Sequence, residues 1–223
     1  AANLEFLTPG EFVQRAPQLP SEVRARLAAA GGTRGPLPWL RTASLPYDLF
    51  TLKTVLDELA EVEGLELLYQ ARLTDVVRDG NRITHAIVRG RAAPFAVAAR
   101  VFVDASGDGE LAALAGAETE VEARGLQFPS TMFRMAGVDT ERAMAVLRDE
   151  MHALLERAVA DGYELPRTAG GIYSVREGIV HLNITRVKVD GRSPDPFDPA
   201  SLSRAESEGR RQARRYLEVF RRY

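Results

Sequence analysis

The sequence predicts an α/β fold in its first half and an α+β arrangement in its second half. One observation is a helix-spaced leucine pattern over residues 48–63, which is followed by segments that alternate between apolar and polar residues. A second is the turn Asp79-Gly80-Asn81 between two such segments, which is a strong hairpin signal. A third is an apolar stretch that enters a glycine turn near residue 107 and continues into an alanine-rich helix.

The first half contains two predicted helices and a β region. Residues 1–46 carry six prolines, so we expect an irregular leading segment with a single helix over residues 21–30. The helix over residues 48–63 is expected to end at Gly64. The strands expected after it cover residues 65–69, 72–78, 82–89 and 95–104, and the last three form a β-meander.

The second half alternates between strands and longer helices. The expected elements are a strand at 128–135, a helix at 139–160, a hairpin of 171–175 with 179–189, and a C-terminal helix. Asp139 is suited to cap the first of these helices. Ser203 and Glu206 have the spacing of a capping box for the last one.

The composition limits the classes of function. The net charge of −2 gives no electrostatic basis for nucleic-acid binding, and no apolar run is long enough to cross a membrane. Cysteine is absent, which excludes disulfides and thiolate catalysis, and three scattered histidines do not indicate a metal site. We therefore expect a cytoplasmic protein with no metal, no nucleic-acid partner and no membrane partner.

The most informative segment is the glycine turn that follows residues 101–103. A buried strand is expected to reach Asp104, and Gly107 and Gly109 then lead into a helix. Glycines allow backbone N–H groups to approach a ligand closely, and a helix start adds unpaired donors. The pattern is therefore typical of a turn that holds phosphate groups.

This segment also resembles a known family. Residues 104–117 read Asp-Ala-Ser-Gly-Asp-Gly-Glu-Leu-Ala-Ala-Leu-Ala-Gly-Ala, which is similar to a signature of FAD-dependent oxidoreductases of the glutathione-reductase-like flavoprotein superfamily. Weaker similarities to the same family follow its order at residues 47–56, 64–69, 125–139, 181–186 and 203–212. Together they cover about residues 45–223, and the glycine-turn motif is the most specific of them.

The resemblance implies a partial FAD/NAD(P)-binding, Rossmann-like domain over residues 47–120 and a substrate-side α+β region over residues 121–223. It also implies that FAD is the cofactor, and that a hydride passes between a small organic substrate and the flavin. The sequence contains neither the opening strand–G-x-G-x-x-G–helix unit of such proteins nor their last flavin-closing segment. We therefore expect a fragment that binds FAD weakly, is inactive alone and self-associates through exposed strand edges.

By resemblance, the glycine turn and one meander residue would contact the adenosine and pyrophosphate half of FAD. These cofactor candidates are Leu73, Asp104, Ala105, Ser106, Gly107, Asp108 and Gly109. The Asp108 carboxylate would accept a hydrogen bond from a ribose hydroxyl. The alternative is a plain strand-to-helix turn whose glycines serve packing, with Leu73 as a core residue of the meander.

Four residues are candidates for the substrate side: Arg134, His181, Asn183 and Arg186. Arg134 interrupts an apolar strand, and a guanidinium there would bind a substrate carboxylate through two hydrogen bonds. His181 lies two residues before Asn183, so both would share one strand face, and His181 would act as an acid or base. The alternative for each is a solvent-exposed side chain, and the sequence assigns no catalytic residue.

Two other classes of function remain open from the sequence. The first is a non-catalytic binding or scaffold module that retains the fold. The second is a nucleotide-binding enzyme of another class that uses the turn over residues 104–109 for a different phosphate ligand. Titration with FAD, ADP and ATP would discriminate between them.

Overall fold

A computed structural model describes residues 21–39, 42–62, 65–120, 126–146 and 148–223. These residues form helices and strands, and the strands make three small antiparallel sheets. Two compact units are present: the described residues before position 65 together with residues 127–223, and residues 65–126. The predicted domain boundaries after residues 46 and 120 stay predictions. Residues 1–20 of the predicted leading segment and the helix-ending Gly64 lie outside the described residues.

The first unit begins with two helices and a short hairpin. They are α1 (Ser21–Ala29), β1 (Leu37–Trp39), β2 (Thr42–Ser44) and α2 (Leu49–Val62). Both helices confirm the sequence prediction, whereas the pairing of β1 with β2 was not predicted. Asp48 caps α2, because its Oδ1 accepts hydrogen bonds from the N–H and Oγ1 of Thr51 at 2.9 and 2.8 Å.

The rest of the first unit is a three-stranded sheet covered by helices. Its elements are β6 (Phe133–Ala136), α4 (Thr140–Ala145), α5 (Arg148–Ala160), β7 (Gly171–Tyr173), β8 (Ile179–Asn183) and α6 (Pro199–Arg222). β8 is the central strand of the sheet, with β6 and β7 antiparallel on either side. Leu182 of β8, Leu155 of α5 and Tyr216 of α6 are fully buried in one core cluster. One face of this sheet therefore holds the unit together.

Tyr216 carries a polar group into this core. Its hydroxyl lies 2.6 Å from the carbonyl oxygen of Arg167 and 3.1 Å from that of Ile184, and it accepts from the N–H of Arg167 at 3.2 Å. Burial raises the pKa of Tyr216 to about 12. The hydroxyl therefore stays protonated and donates its one proton to the carbonyl oxygen of Arg167, while the more distant carbonyl oxygen of Ile184 is the alternative acceptor.

The second unit is the β-meander and a short helix. Its elements are β3 (Arg72–Asp79), β4 (Arg82–Arg89), β5 (Phe95–Ala98) and α3 (Glu110–Leu114). The strand order β3-β4-β5 confirms the predicted meander, and Asp79 pairs with Arg82 at the predicted hairpin turn. α3 has only five residues, because Gly116 takes a left-handed φ of +70° and stops it.

Two strand predictions in the second unit are wrong. Residues 65–69 form no strand, and the strand expected over 95–104 ends at Ala98. Val101 and Val103 are 77% and 84% exposed rather than buried. β5 pairs only with β4, and beyond Ala98 no described strand continues the ladder. Apolar alternation does not make a strand without a partner backbone.

Three predictions in the first unit need correction. The helix expected over 139–160 is two helices, because Val146 adopts an extended conformation between them. The strand expected over 128–135 begins only at Phe133. The last helix is capped by Asp198, which accepts from the N–H groups of Ala200 and Ser201, and not by Ser203. The hairpin around residues 176–178 is confirmed with shorter strands.

Gly209 on α6 allows a close approach of the segment that precedes β6. A Cβ at this position would lie 2.8 Å from the Cβ of Thr131 and even closer to its Oγ1. We expect Gly209→Ala to lower the free energy of unfolding by about 1–2 kcal/mol, because overpacking outweighs the ~1 kcal/mol gain in helix propensity. Urea unfolding followed by circular dichroism measures the change.

The control is the same substitution in a Thr131→Gly background. With the Thr131 side chain removed, Gly209→Ala is expected to become neutral or stabilising. An equal loss in both backgrounds would show that the contact with Thr131 is not the cause.

Candidate functional site

The first unit contains a cavity of about 470 Å³ on the face of the sheet opposite the core. This volume lies within the usual range for small-molecule sites, roughly 300–1,000 Å³. Its polar lining comprises Ser44, Tyr47, Arg134, Tyr173, His181 and Asn183. The remaining lining is apolar, and Leu49 and Met132 in it are 43% and 61% exposed, so the cavity is open to solvent and combines apolar side chains with a few polar groups.

The strand register explains how the polar groups meet. Arg134 of β6 lies directly opposite His181 of β8, and His181 lies opposite Tyr173 of β7. Directly opposite residues on one sheet face have Cβ atoms about 4.5–5.5 Å apart. The neighbouring pair on the other face, Leu182 with Phe133, points to the core instead. A row of three polar side chains therefore forms the floor of the cavity.

Three polar side chains of the cavity, Arg134, His181 and Asn183, keep their polar groups available. Among the residues that the structure describes, none forms an ion pair or hydrogen bond with the side chains of Arg134, His181 or Asn183. Burial, followed by the positive charge of Arg134, holds the pKa of His181 below its ordinary value of 6.5, although the charge of Asp48 acts in the opposite direction. His181 is therefore neutral at pH 7 and can accept a proton.

The lowered pKa of His181 predicts a pH dependence of stability. The unfolded chain binds a proton at His181 more readily than the folded one, so this residue destabilises the fold as the pH falls below about 6.5. We expect His181→Asn to reduce the loss of stability between about pH 7 and about pH 5. Urea unfolding across this range measures the effect.

His152 is the comparison for that experiment. It is an exposed residue of α5, and its Nδ1 contacts the carbonyl of Thr168 at 2.8 Å. If His152→Asn changed the pH dependence of the free energy of unfolding as much as His181→Asn, this dependence would not arise from the environment of the cavity.

The wall of the cavity is fixed by an ion pair. The Asp48 carboxylate is 4% exposed and accepts hydrogen bonds from Nε and Nη2 of Arg176 at 3.0 and 3.2 Å. The hydrogen bond from Arg176 is the first cause that holds the pKa of Asp48 far below its usual range, and the Thr51 N–H is the second. The pair ties the segment before α2 to the turn between β7 and β8, so both sides of the cavity stay in place.

The structure brings three of the four predicted substrate residues together, namely Arg134, His181 and Asn183. Arg186 does not line the cavity: its N–H donates to Oε1 of Gln212 at 3.0 Å, and its guanidinium lies over the ring of Phe128.

Sequence reasoning missed two parts of the cavity. Tyr173 could have been found from the predicted hairpin, because it pairs with His181. Nothing in the sequence signals the pairing of Asp48 with Arg176, which are 128 positions apart.

A second cleft of about 500 Å³ lies beside α6. Two of its cations already have partners, because Arg204 pairs with Asp190 and Arg211 pairs with Glu208, each at 2.9 Å. Its Lys188 lies over the ring of Phe128. The charges of this cleft are therefore satisfied within the protein, unlike those of the cavity.

In the second unit, the glycine turn borders a groove of about 240 Å³. Leu73 lines it together with Asp104, Ala105 and Ser106, so the structure brings the meander residue beside the predicted turn. The Asp104 carboxylate accepts from the N–H and Oγ of Ser106 and from the N–H of Ala112. These bonds lower the pKa of Asp104, the Ser106 hydroxyl contributing most, and they fix the turn.

The two turn glycines are required by the backbone conformation. Gly107 and Gly109 have φ values of +90° and +71°, in the left-handed region that favours glycine. No atom lies within 4 Å of a Cβ placed at either residue, so the alternative that they serve packing is not supported. The N–H groups of Gly107, Asp108 and Gly109 donate to no other described residue. The turn therefore offers three adjacent backbone donors next to the groove.

Neither unit offers the donor set of a metal site among the residues described, since no cluster of three His, Asp or Glu side chains occurs there. No described helix is long and apolar enough to cross a membrane.

Comparison with known proteins identifies the family. A family model described as FAD dependent oxidoreductase matches residues 5–223. The chain therefore belongs to the FAD-dependent oxidoreductase family, and the match begins well before residue 45, where the resemblance was expected to start. No curated protein and no solved structure matches the chain.

Proposed function

We propose that the protein takes part in FAD-dependent transfer of a hydride to or from a small organic substrate that binds in the cavity of the first unit. Family membership supports FAD as the cofactor. The observation that carries the substrate site is the row of Arg134, His181 and Tyr173, in which Arg134 and His181 have no partner in the described protein. When bound, FAD supplies the two-electron acceptor or donor that side chains lack.

The floor residues would have distinct roles. Arg134 binds an anionic group of the substrate, and the Asn183 amide adds one donor and one acceptor. His181 is neutral at pH 7 and sits beside Arg134, so it accepts or returns the proton that accompanies hydride transfer. The ion pair of Asp48 with Arg176 positions the wall and does not touch the substrate.

We place the adenosine end of FAD at the groove of the second unit. Leu73, Asp104, Ala105 and Ser106 line this groove and would hold it. Gly107, Asp108 and Gly109 are not in the lining; they follow it in the turn and would contribute their backbone N–H groups. The fit is partial: three unpartnered N–H groups suit a phosphate, but about 240 Å³ is less room than ligand sites usually provide. We therefore expect this chain to bind FAD weakly and to be inactive alone.

The test is a calorimetric titration of the protein with FAD, with ADP and with ATP·Mg²⁺. FAD preferred over ATP supports the proposal, and Gly107→Ala is expected to weaken FAD binding. Gly80→Ala is the matched control, because Gly80 also has a positive φ and open space around its Cβ position. Preference for ATP·Mg²⁺ would favour a nucleotide-binding enzyme of another class. Binding of none would favour a scaffold module.

We further propose that the exposed apolar segment 101–103 leads the chain to self-associate with a second copy. Val101 and Val103 expose more than three quarters of their surface, and apolar strand-like segments of this kind are association sites. Sedimentation at increasing concentration is expected to show dimers or larger species, and Val103→Lys should shift them toward monomer. A monomer at all concentrations contradicts the proposal. That the chain is an internal part of a larger flavoenzyme stays a prediction.

A further inference from the structure

We infer that the cavity of the first unit selects an organic monocarboxylate with an apolar body. The inference names the class of substrate for the proposed function. It rests on that function only in calling the ligand a substrate, because binding of the ligand is measurable without flavin. It follows from three features of the cavity: its charge, the shape of its cationic group and its apolar wall.

The charge of the described lining favours an anionic ligand. Among the residues that the structure describes, Arg134 is the only one in the lining that is charged at pH 7, since His181 is largely neutral there and none of the described lining residues is acidic. The nearby carboxylate of Asp48 is already paired with Arg176. The Arg134 side chain is exposed and its guanidinium has no counter-charge among the described residues, so it is available to bind a ligand anion. One cation, with no second basic group among the described lining residues, favours a monoanion over a phosphate dianion.

The shape of the guanidinium favours a carboxylate. Two parallel N–H groups of arginine match the two oxygens of a planar carboxylate. His181, directly opposite Arg134, is then within reach of the atom next to that carboxylate. The polar end of the ligand is therefore fixed over the β6–β8 pair.

The apolar part of the lining favours a ligand that has a hydrocarbon or aromatic part in addition to its charged group. Leu45, Pro46, Leu49, Met132 and Val175 line the cavity together with its polar residues. At ~30 Å³ per water, 470 Å³ holds roughly fifteen waters, far more than acetate displaces. Burial of such a wall favours ligands with a hydrocarbon or aromatic body of comparable size. Tyr47 and Tyr173 add two rings against which a flat body packs.

The experiment is calorimetric titration of the protein, without added flavin, with 3-phenylpropanoate, acetate, 3-phenylpropanol and phenyl phosphate. We expect 3-phenylpropanoate to bind at least about tenfold more tightly than each of the others. Arg134→Gln is expected to remove this preference. Arg142→Gln, which removes an exposed charge on α4 outside the cavity, is expected to leave it unchanged. Unfolding curves confirm that both variants are folded.

The outcomes separate this inference from the proposed function. Equal affinity for the alcohol, tighter binding of the phosphate, or an unchanged preference in Arg134→Gln overturns the inference. If this happens while FAD still binds, the proposed cofactor role stands and only the ligand class is wrong. If the carboxylate preference depends on Arg134 but no flavin binds, the inference stands and the oxidoreductase proposal fails.

Discussion

Replacement of Leu182 by alanine is expected to lower the free energy of unfolding by about 2–5 kcal/mol. Leu182 is 0% exposed and lies on the central strand β8, between Phe133 of β6 and Ile172 of β7. Truncation removes transfer free energy and leaves a cavity that three paired strands cannot collapse to fill. Urea unfolding followed by circular dichroism measures the loss.

Leu202→Ala is the matched control, because Leu202 lies on α6 with 40% of its surface exposed. It is expected to change stability by much less, about 0.5 kcal/mol. Since Leu182 faces the core and not the cavity, folded Leu182→Ala should still bind the carboxylate probe. Equal losses for the two substitutions would contradict the packing described for β8.

The second large effect is expected for Asp48→Ala, which should lower the free energy of unfolding by about 2–3 kcal/mol. The cap of α2 contributes about 1 kcal/mol, and the hydrogen bonds from Arg176 supply the rest. Arg176 is 57% exposed, so its share is far below that of a buried ion pair. Asp48→Asn keeps the cap acceptor and is expected to cost less.

The effect of Asp48 depends on pH in a defined direction. Its carboxyl has a lower pKa in the folded than in the unfolded state, so its stabilisation is complete at neutral pH and is lost as the pH falls below about 4. The difference between the wild type and Asp48→Ala should therefore shrink in acid. Asp139→Ala, which removes an exposed cap of α4, is the control. An equal loss from both caps would show that Arg176 contributes nothing.

Local sequence patterns predicted much of the fold. The leucine spacing of α2 and the turn before β4 depend on neighbouring residues alone, and both elements form as expected. The strand predicted over 95–104 ends at Ala98, because a strand also needs a partner backbone that its own residues do not specify. The single helix predicted over 139–160 failed at Val146, where apolar periodicity gives no sign of the break.

The candidate site was predictable only in part. Arg134 stood out as a charge within an apolar strand, and His181 and Asn183 followed from their two-residue spacing. Their meeting in one cavity required the register of β6 with β8, which spacing along the chain does not determine. The wall held by Asp48 and Arg176 depends on a contact between distant segments and had no local signal.

β8 directs Val180 and Leu182 to one side and His181 to the other, so residues of the core alternate with residues that line the cavity. Selectivity can therefore be redesigned at positions 134, 173 and 181 while the hydrophobic interior keeps its volume. Because of the same separation, natural substitutions at the cavity positions are expected to change ligand preference with little change in the free energy of unfolding. In this protein, specificity is expected to evolve faster than architecture.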